Sequence, residues 1–364
     1  MDKLKRRDFI AKVAAASAVA ALPASSFANI IIPQKKKLGV ALVGLGYYST
    51  DLLAPALQLT NHCELRGVVT GSPSKIPVWQ RKYGIKDQNV YNYDNMDQIA
   101  NNDAIDVIYI VLPNSMHAEY AIKAANAGKH VWCEKPMART VAECQSIIDA
   151  CNQNKRYLSI GYRMQHEPNT QKLIQWSKTK PYGEIKDLTA EAGFYNGSTN
   201  HWKLQKAMGG GAMYDMGVYS LNAARYVTGE EPIAVTANIS TTRPEIYSEV
   251  DETTTFKLEF PSGVIANCKT SFRANLNELQ VNCADGWYGL SPFQAYNGIK
   301  GKTSDGKKLN TPIENEQAKQ MDDDALAIIN KSSVIVPGEE GLLDIRVVEA
   351  IYQSAQKSVR VEID

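Results

Sequence analysis

Between Leu38 and Gly161 the chain repeats one pattern, a short apolar run followed by a stretch with helical spacing, and this alternation restricts the fold more than any other feature. "LGVALVG", "ELRGVVT", the brief "NVYNY", "DVIYIVL", "KHVWCE" and "RYLSIG" read as strands. "DLLAPALQL", "HAEYAIKAANAG" and "VAECQSIIDACNQN" read as helices between them, the middle one stopping on Gly128. Strands joined through helices pair in parallel, because a helical crossover returns the chain to the same end of the sheet. The expectation is an α/β class protein whose residues 38–161 form a Rossmann-type, doubly wound parallel sheet. Ligands of such a sheet lie beyond the carboxyl ends of its strands.

After Gly161 the texture changes. "GEIKDLTAEAGF", "PIAVTANIS", "ETTTFKLEF", "GVIANCKTSF" and "ELQVNCA" are strand-like without regular helices between them. In "TTTFKLEF", Thr254, Phe256, Leu258 and Phe260 share one face against Thr253, Thr255, Lys257 and Glu259, the alternation of a half-buried antiparallel strand. Residues 162–364 are therefore expected to form a C-terminal α+β domain around a large, mostly antiparallel, open-faced sheet that serves substrate binding and oligomerisation. Residues 297–312 read as a solvated loop, and 338–357 as a final amphipathic helix packing near the first domain.

The N-terminus is read separately. "KLKRRDFIAK" before "VAAASAVAALPASSFA" has the basic region, apolar region and small-residue stop of an export signal. Arg6, Arg7, Phe9 and Lys12 match the twin-arginine pattern of bacterial proteins exported already folded. Residues 1–28 are expected to be this signal, cleaved before Asn29 or kept as an anchor, residues 29–37 a short arm, and the mature protein periplasmic. The signal holds five basic and two acidic side chains, so removing its +3 takes the formal charge from +1 to −2. Lys plus Arg (40) nearly equals Asp plus Glu (39), which gives no electrostatic case for nucleic acid. No later apolar run approaches the ~20 residues of a membrane span. The six cysteines lack metal-ligand spacing, and folding before export favours free thiols, so neither a metal nor a structural disulfide is expected.

Gly44-Leu45-Gly46, followed by Tyr47, Tyr48 and Ser49, ends the first strand, with Ser49 where a third glycine usually stands. The two glycines permit a tight turn and close approach of a pyrophosphate to the next helix. An acidic residue at the end of the second strand would bind a ribose 2′-hydroxyl; the chain has Thr70, Gly71, Ser72 and Lys75 instead, which suits the 2′-phosphate of NADP, with NAD the alternative and a plain polar turn the other reading. After the fourth strand, Leu112, Pro113, Asn114 and His117 border the position of a cofactor ribose. Asn114 or Ser115 can equally cap the following helix, and His117 alone reads as a surface histidine.

"VWCEKPMA" raises a sharper question, since a buried strand ends in Glu134 and Lys135, and unpaired charge is costly out of water. The fifth strand of such a sheet delivers both side chains into the ligand crevice. Together with "GLG" and "GGGAMYDMGVY", the run "CEKPMA" resembles the Gfo/Idh/MocA oxidoreductase family over nearly the whole mature chain. The resemblance is closest to the glucose-fructose oxidoreductase branch, through "IGYR" and "PGEEGLLDIR".

That resemblance implies catalytic roles for Lys135, beside nicotinamide and the reacting hydroxyl, and for Asp215 and Tyr219 of the D-x-G-x-Y motif; the last two read on their own as a buried hydrogen-bonded pair. A tyrosine base needs a nearby cation, and Lys135 is the candidate. It further implies cofactor or substrate contacts by Arg163, Trp202 and Lys203, Trp202 having a core position as its rival. The implied activity is NADP-dependent oxidoreduction of a small-molecule sugar, with a homodimer or homotetramer formed through the C-terminal sheet. The arm "NIIIPQKKK" is shorter than the branch's nucleotide-trapping arm, which leaves open a bound cofactor recycled by a second sugar or a simple dehydrogenase. An NAD-dependent glycoside hydrolase and a non-catalytic sugar- or nucleotide-binding protein are the alternatives.

Overall fold

Six short strands meet side by side: β1 (Leu38–Val43), β2 (Cys63–Val69), β3 (Val90–Tyr91), β4 (Val107–Ile110), β5 (His130–Cys133) and β6 (Leu158–Ile160). The computed structural model describes residues 37–363; the expected signal and nearly all of the short arm lie outside the described residues. All six strands pair in parallel in the order β3-β2-β1-β4-β5-β6. Val40, Leu42, Val107 and Tyr109 pack on one face, Ala41, Val43, Ile108 and Ile110 on the other. Burial on both faces is why these strands read as continuous apolar runs. The chain switches direction of winding between β1 and β4, and a crevice opens there.

The helices follow the apolar spacing. A π-type segment, Tyr48–Leu53, runs into α1 (Ala54–Ala56) after β1; α2 (Ile76–Tyr83) follows β2 and its polar turn. α3 (His117–Asn126) ends before Gly128 at φ +74°, and α4 (Val141–Gln153) starts where the Thr140 hydroxyl accepts from the Glu143 amide.

The second sheet has nine strands: β7 (Ile185–Gly193), β8 (Ala234–Ser240), β9 (Thr253–Glu259), β10 (Ile265–Ser271), β11 (Leu276–Cys283), β12 (Gly286–Leu290), β13 (Gly301–Thr303), β14 (Lys308–Leu309) and β15 (Val361–Glu362). Their order is β14-β13-β12-β11-β7-β10-β9-β8-β15, antiparallel except for β7 with β10. Residues 297–312 are thus not only a loop: β13 pairs with β12 and β14 with β13, extending the sheet edge by backbone pairing that composition does not reveal.

Between α5 (Pro168–Thr179) and the sheet lies α6 (Val218–Thr228), which packs on β7 and β10. The covered face carries Leu188, Ala190, Phe256, Leu258, Ala266 and Cys268, in register across neighbouring strands. The opposite face carries Thr189, Thr255, Lys257, Asn267 and Lys269, so the sheet is open and polar on that side.

Two late helices return to the first sheet. α7 (Glu316–Asn330) inserts Ala318, Met321, Ala325 and Ile328 into the core under β1, β2 and β4, and α8 (Gly338–Lys357) lies against both α4 and β8. All six cysteines are buried and free.

Candidate active site

Beyond the carboxyl ends of β1, β4 and β5 lies a cleft of about 1170 Å³. Gly44 makes its floor turn at φ +90°, and a Cβ there would stand 2.4 Å from the Val111 carbonyl oxygen. Only glycine serves that position. At Gly46 a Cβ would meet nothing within 4 Å, so the protein's own packing does not require glycine there. Ser49, in place of the third glycine, ties the turn by donating from Oγ to the Gly44 carbonyl at 2.6 Å.

Lys75 Nζ donates to the Leu45 carbonyl at 2.6 Å, and Thr70 Oγ1 accepts from the Ser72 amide at 3.1 Å. Thr70, Ser72 and Lys75 line the cleft beside Leu45, Tyr47 and Tyr48. Gly71 does not line it; its position faces the Tyr93 ring, 2.9 Å from where a Cβ would sit, and Tyr93 takes its place in the wall.

Leu112, Pro113, Asn114 and His117 form the next part of the wall. Asn114 does not cap α3, whose N-cap Met116 has no side-chain bond; its amide instead donates to the Gly209 carbonyl at 2.7 Å. Ser115 Oγ likewise turns to Met208 Sδ, 3.6 Å away. The 206–211 turn offers these groups a partner that is remote in sequence. Nor is His117 a surface residue. It is buried, with ring nitrogens 2.8 Å from the carbonyl oxygens of Pro136 and Leu112, and burial lowers its pKa against those bonds.

Glu134 is nearly buried at the inner end of the cleft, where burial holds its carboxyl above the usual range despite a 2.6 Å hydrogen bond from the Tyr109 hydroxyl. Gly161 makes room for it: a Cβ there would come within 2.8 Å of Glu134 Oε1.

Lys135 is joined to Pro136 by a cis peptide bond and reaches across to the second domain, donating from Nζ to the Asp215 backbone carbonyl at 2.8 Å. The same ammonium stands 4.5 Å from the centre of the Tyr219 ring. Asp215 and Tyr219 come from a π-type segment (Met213–Gly217) and the first turn of α6, and both face the cleft. Burial pushes the Asp215 carboxyl up, but Lys203, at 2.7 Å from Oδ2, and Lys135 outweigh it and hold the group below its ordinary value.

The cation at the phenol oxygen is not Lys135. Arg163 Nη1 donates to the Tyr219 hydroxyl oxygen at 2.6 Å, while Nη2 donates to the Ala295 carbonyl at 2.7 Å. Lys135 occupies the ring face instead, because its Nζ is held by the Asp215 carbonyl. Trp202 is half-buried and lines the cleft next to Lys203, in a 3₁₀ turn over Trp202–Leu204, so it is not a core residue.

Lys135, Asp215, Tyr219, Arg163 and Lys203 therefore meet in one place, at the inner end of the cleft, although they come from both sheets' connections. Sequence reasoning missed Glu316, whose Oε2 lies 3.2 Å from Arg163 Nε, and Tyr109 behind Glu134. It also missed Tyr296, whose ring lies 4.9 Å from the Arg163 guanidinium carbon. None of these carries a local motif. Among the described residues, no cluster of His, Cys, Asp or Glu is arranged as a metal site.

Three family models match the chain: an oxidoreductase family with an NAD-binding Rossmann fold over residues 38–162, a GFO/IDH/MocA C-terminal domain over 170–289, and an oxidoreductase-family C-terminal alpha/beta domain over 292–363. D-xylose 1-dehydrogenase [NADP(+)] of Haloarcula marismortui is 26% identical, with 89% of this chain and 92% of that protein aligned. D-glucoside 3-dehydrogenase of Escherichia coli is 27% identical over 90% of this chain and 97% of the enzyme. Among solved structures, aldose-aldose oxidoreductase from Caulobacter crescentus, complexed with glycerol, superposes with a TM-score of 0.87 at 38% identity, covering 90% of this chain and all of that one. Levoglucosan dehydrogenase in complex with NADH and levoglucosan, at 21% identity and a TM-score of 0.78 over 90% of this chain and all of that one, shares the fold.

Proposed function

The chain belongs to the Gfo/Idh/MocA oxidoreductase family, and on that premise we propose that it oxidises a CH–OH group of a sugar, using NADP, with the electrons returned to a second sugar. The observation that carries this reading is the meeting of Lys135, Asp215 and Tyr219 at the inner end of a cleft whose other end is a Gly44-Leu45-Gly46 turn.

The residues present fit a nicotinamide dinucleotide. Gly46 is open on the side where a pyrophosphate would lie, and Tyr47 and Tyr48 follow it. Thr70, Ser72 and Lys75, with no carboxylate at the end of β2, would hold a 2′-phosphate. Leu112, Pro113, Asn114 and His117 would border the inner ribose. When bound, such a cofactor supplies the two-electron acceptor.

The chain's own groups handle position and proton. Tyr219 accepts the proton of the reacting hydroxyl, and the Arg163 hydrogen bond favours the oxygen that has a lone pair to offer. Lys135 holds the same hydroxyl from the other side. Asp215, kept ionised by Lys203 and Lys135, accepts from a neighbouring sugar hydroxyl. The name of the NADP-dependent xylose dehydrogenase supports the cofactor, and that of the aldose-aldose oxidoreductase supports the two-sugar cycle. We extend the proposal to export by the twin-arginine route and to a dimer or tetramer formed over the open sheet face.

The test is chromatography of sugar products when purified protein is offered aldoses with NADP⁺ or NAD⁺, one oxidised sugar forming for each reduced one. Turnover with NADP⁺, and its loss by about 10²–10⁴-fold in Lys135→Met with the dinucleotide still bound, is the expected result. No oxidised product from any aldose, with either dinucleotide present, would refute it.

A further inference from the structure

α7 shows two unlike faces. Ala318, Met321 and Ala325 enter the core beneath the first sheet, as an amphipathic helix should. Glu316, Gln320 and Asp324, at positions i, i+4 and i+8, are buried as well, with at most 1% of each exposed. Gln320 Nε2 donates to the Tyr109 hydroxyl at 3.2 Å, and that hydroxyl donates to Glu134. Glu316 Oε2 lies 3.2 Å from Arg163 Nε, and Arg163 donates to Tyr219. A helix that the sequence does not connect with the site thus backs both of its charged corners.

Burying a carboxylate beside a guanidinium costs desolvation that an apolar pair would avoid, so stability alone is a poor reason for the arrangement. Its geometry offers a better one. Arg163 is 1% exposed and has three fixed contacts: Glu316 behind it, the Ala295 carbonyl to one side, and the Tyr219 oxygen in front. Shifting Arg163 by one rotamer would withdraw its donor from the phenol.

We propose that Glu316 is a positioning residue of the oxidoreductase reaction: by aligning Arg163 and balancing its charge, it sets how readily Tyr219 takes the substrate proton. The inference rests on the function proposed above. An ionised Glu316 offsets the charge that Arg163 presents to the phenol oxygen; a neutral residue there leaves that cation unbalanced. Burial raises the Glu316 carboxyl to about 7, against Arg163 and with help from Glu167, so the group is ionised in the alkaline range where a tyrosine titrates. The other charged or titratable groups facing Arg163 are Tyr219, Tyr48, Tyr296 and Glu134, and Lys135 lies over the Tyr219 ring.

The experiment separates charge from shape. Glu316→Gln keeps the length and an acceptor for Arg163 but removes the charge; Glu316→Asp keeps the charge and shortens the reach. In Glu316→Gln the ascending limb of kcat/KM against pH should move to lower pH by roughly one unit, the size expected for removing one charge several ångströms away at an effective dielectric of about 20. In Glu316→Asp the limb should stay in place while kcat falls. Tyrosinate absorbance, taken as each protein minus its Tyr219→Phe counterpart, should show the same shift without turnover. If Glu316→Gln titrates like the wild type in both readouts, or if the Asp variant shifts and the Gln variant does not, Glu316 only fills space and the inference fails. Should Glu316→Gln not fold, Glu316→Met, which also removes the charge at similar length, is held to the same shift. Lack of sugar oxidation by the wild type would instead remove the proposed function, while the absorbance titration would still report on the Glu316–Arg163–Tyr219 coupling.

Discussion

Replacing Lys203 by Met should move the acid limb of activity to higher pH. Asp215 is ionised because two ammonium groups outweigh its burial, and Lys203 makes the only side-chain hydrogen bond to its carboxylate among those found at the described residues. At 2.7 Å the Coulomb attraction is about 6 kcal/mol for an effective dielectric of about 20. Desolvation and the residual exposure of the two side chains, 26% and 14%, reduce the net effect to about 2 kcal/mol. The Asp215 carboxyl should therefore rise once Lys203 is gone, with burial opposed by Lys135 alone. The folded-state value is depressed, so the stability this pair contributes is present above the unfolded carboxylate pKa and is lost as pH falls through the folded value. Both the acid limb of kcat/KM for the sugar and the onset of acid unfolding should therefore shift upward in Lys203→Met and stay near the wild type in Lys203→Arg. An unchanged acid limb in Lys203→Met, with sugar oxidation intact, would refute the idea that Asp215 works as a carboxylate held by Lys203.

Lys75→Glu places a carboxylate where a 2′-phosphate would lie, so the KM for NADP⁺ should rise about tenfold or more while that for NAD⁺ changes little, as steady-state kinetics with both dinucleotides would show. Gly161→Ala drives a Cβ to 2.8 Å from Glu134 Oε1 and should lower stability by about 1–3 kcal/mol, read by denaturant unfolding. Combining it with Glu134→Ala should recover most of that loss, because the two changes act on the same space.

Much of the scaffold is legible because it depends on local spacing. The apolar runs of β1, β2, β4 and β5 and the 3.6-residue pattern of α3 and α4 name their elements without help from distant residues. Lys135 was recognisable for a related reason: charges that end a buried strand must face something, and the parallel topology says where. What stayed hidden depends on partners far along the chain. The sequence reading passed over "EQAKQMDDDALAIIN", whose Glu316 and Asp324 point inward because Arg163 and the groups around Ser159 are there to receive them. Asn114 looks like a helix cap and His117 like a surface residue until the 206–211 turn and the Pro136 carbonyl close over them. Lys135 does lie near Tyr219, but sequence distance cannot distinguish an ammonium over the ring face from the guanidinium of Arg163 at the oxygen.

The most direct test follows one atom. The protein is incubated with NADP⁺ and an aldose carrying deuterium on the carbon to be oxidised, the mixture is denatured, and the nucleotide is weighed by mass spectrometry. Transfer of the deuterium to the dinucleotide, abolished in Lys135→Met and strongly slowed in Tyr219→Phe, is the expected result. Deuterium that stays on the sugar, or a label transfer indifferent to both substitutions, would contradict a reaction carried out where Lys135, Asp215 and Tyr219 meet.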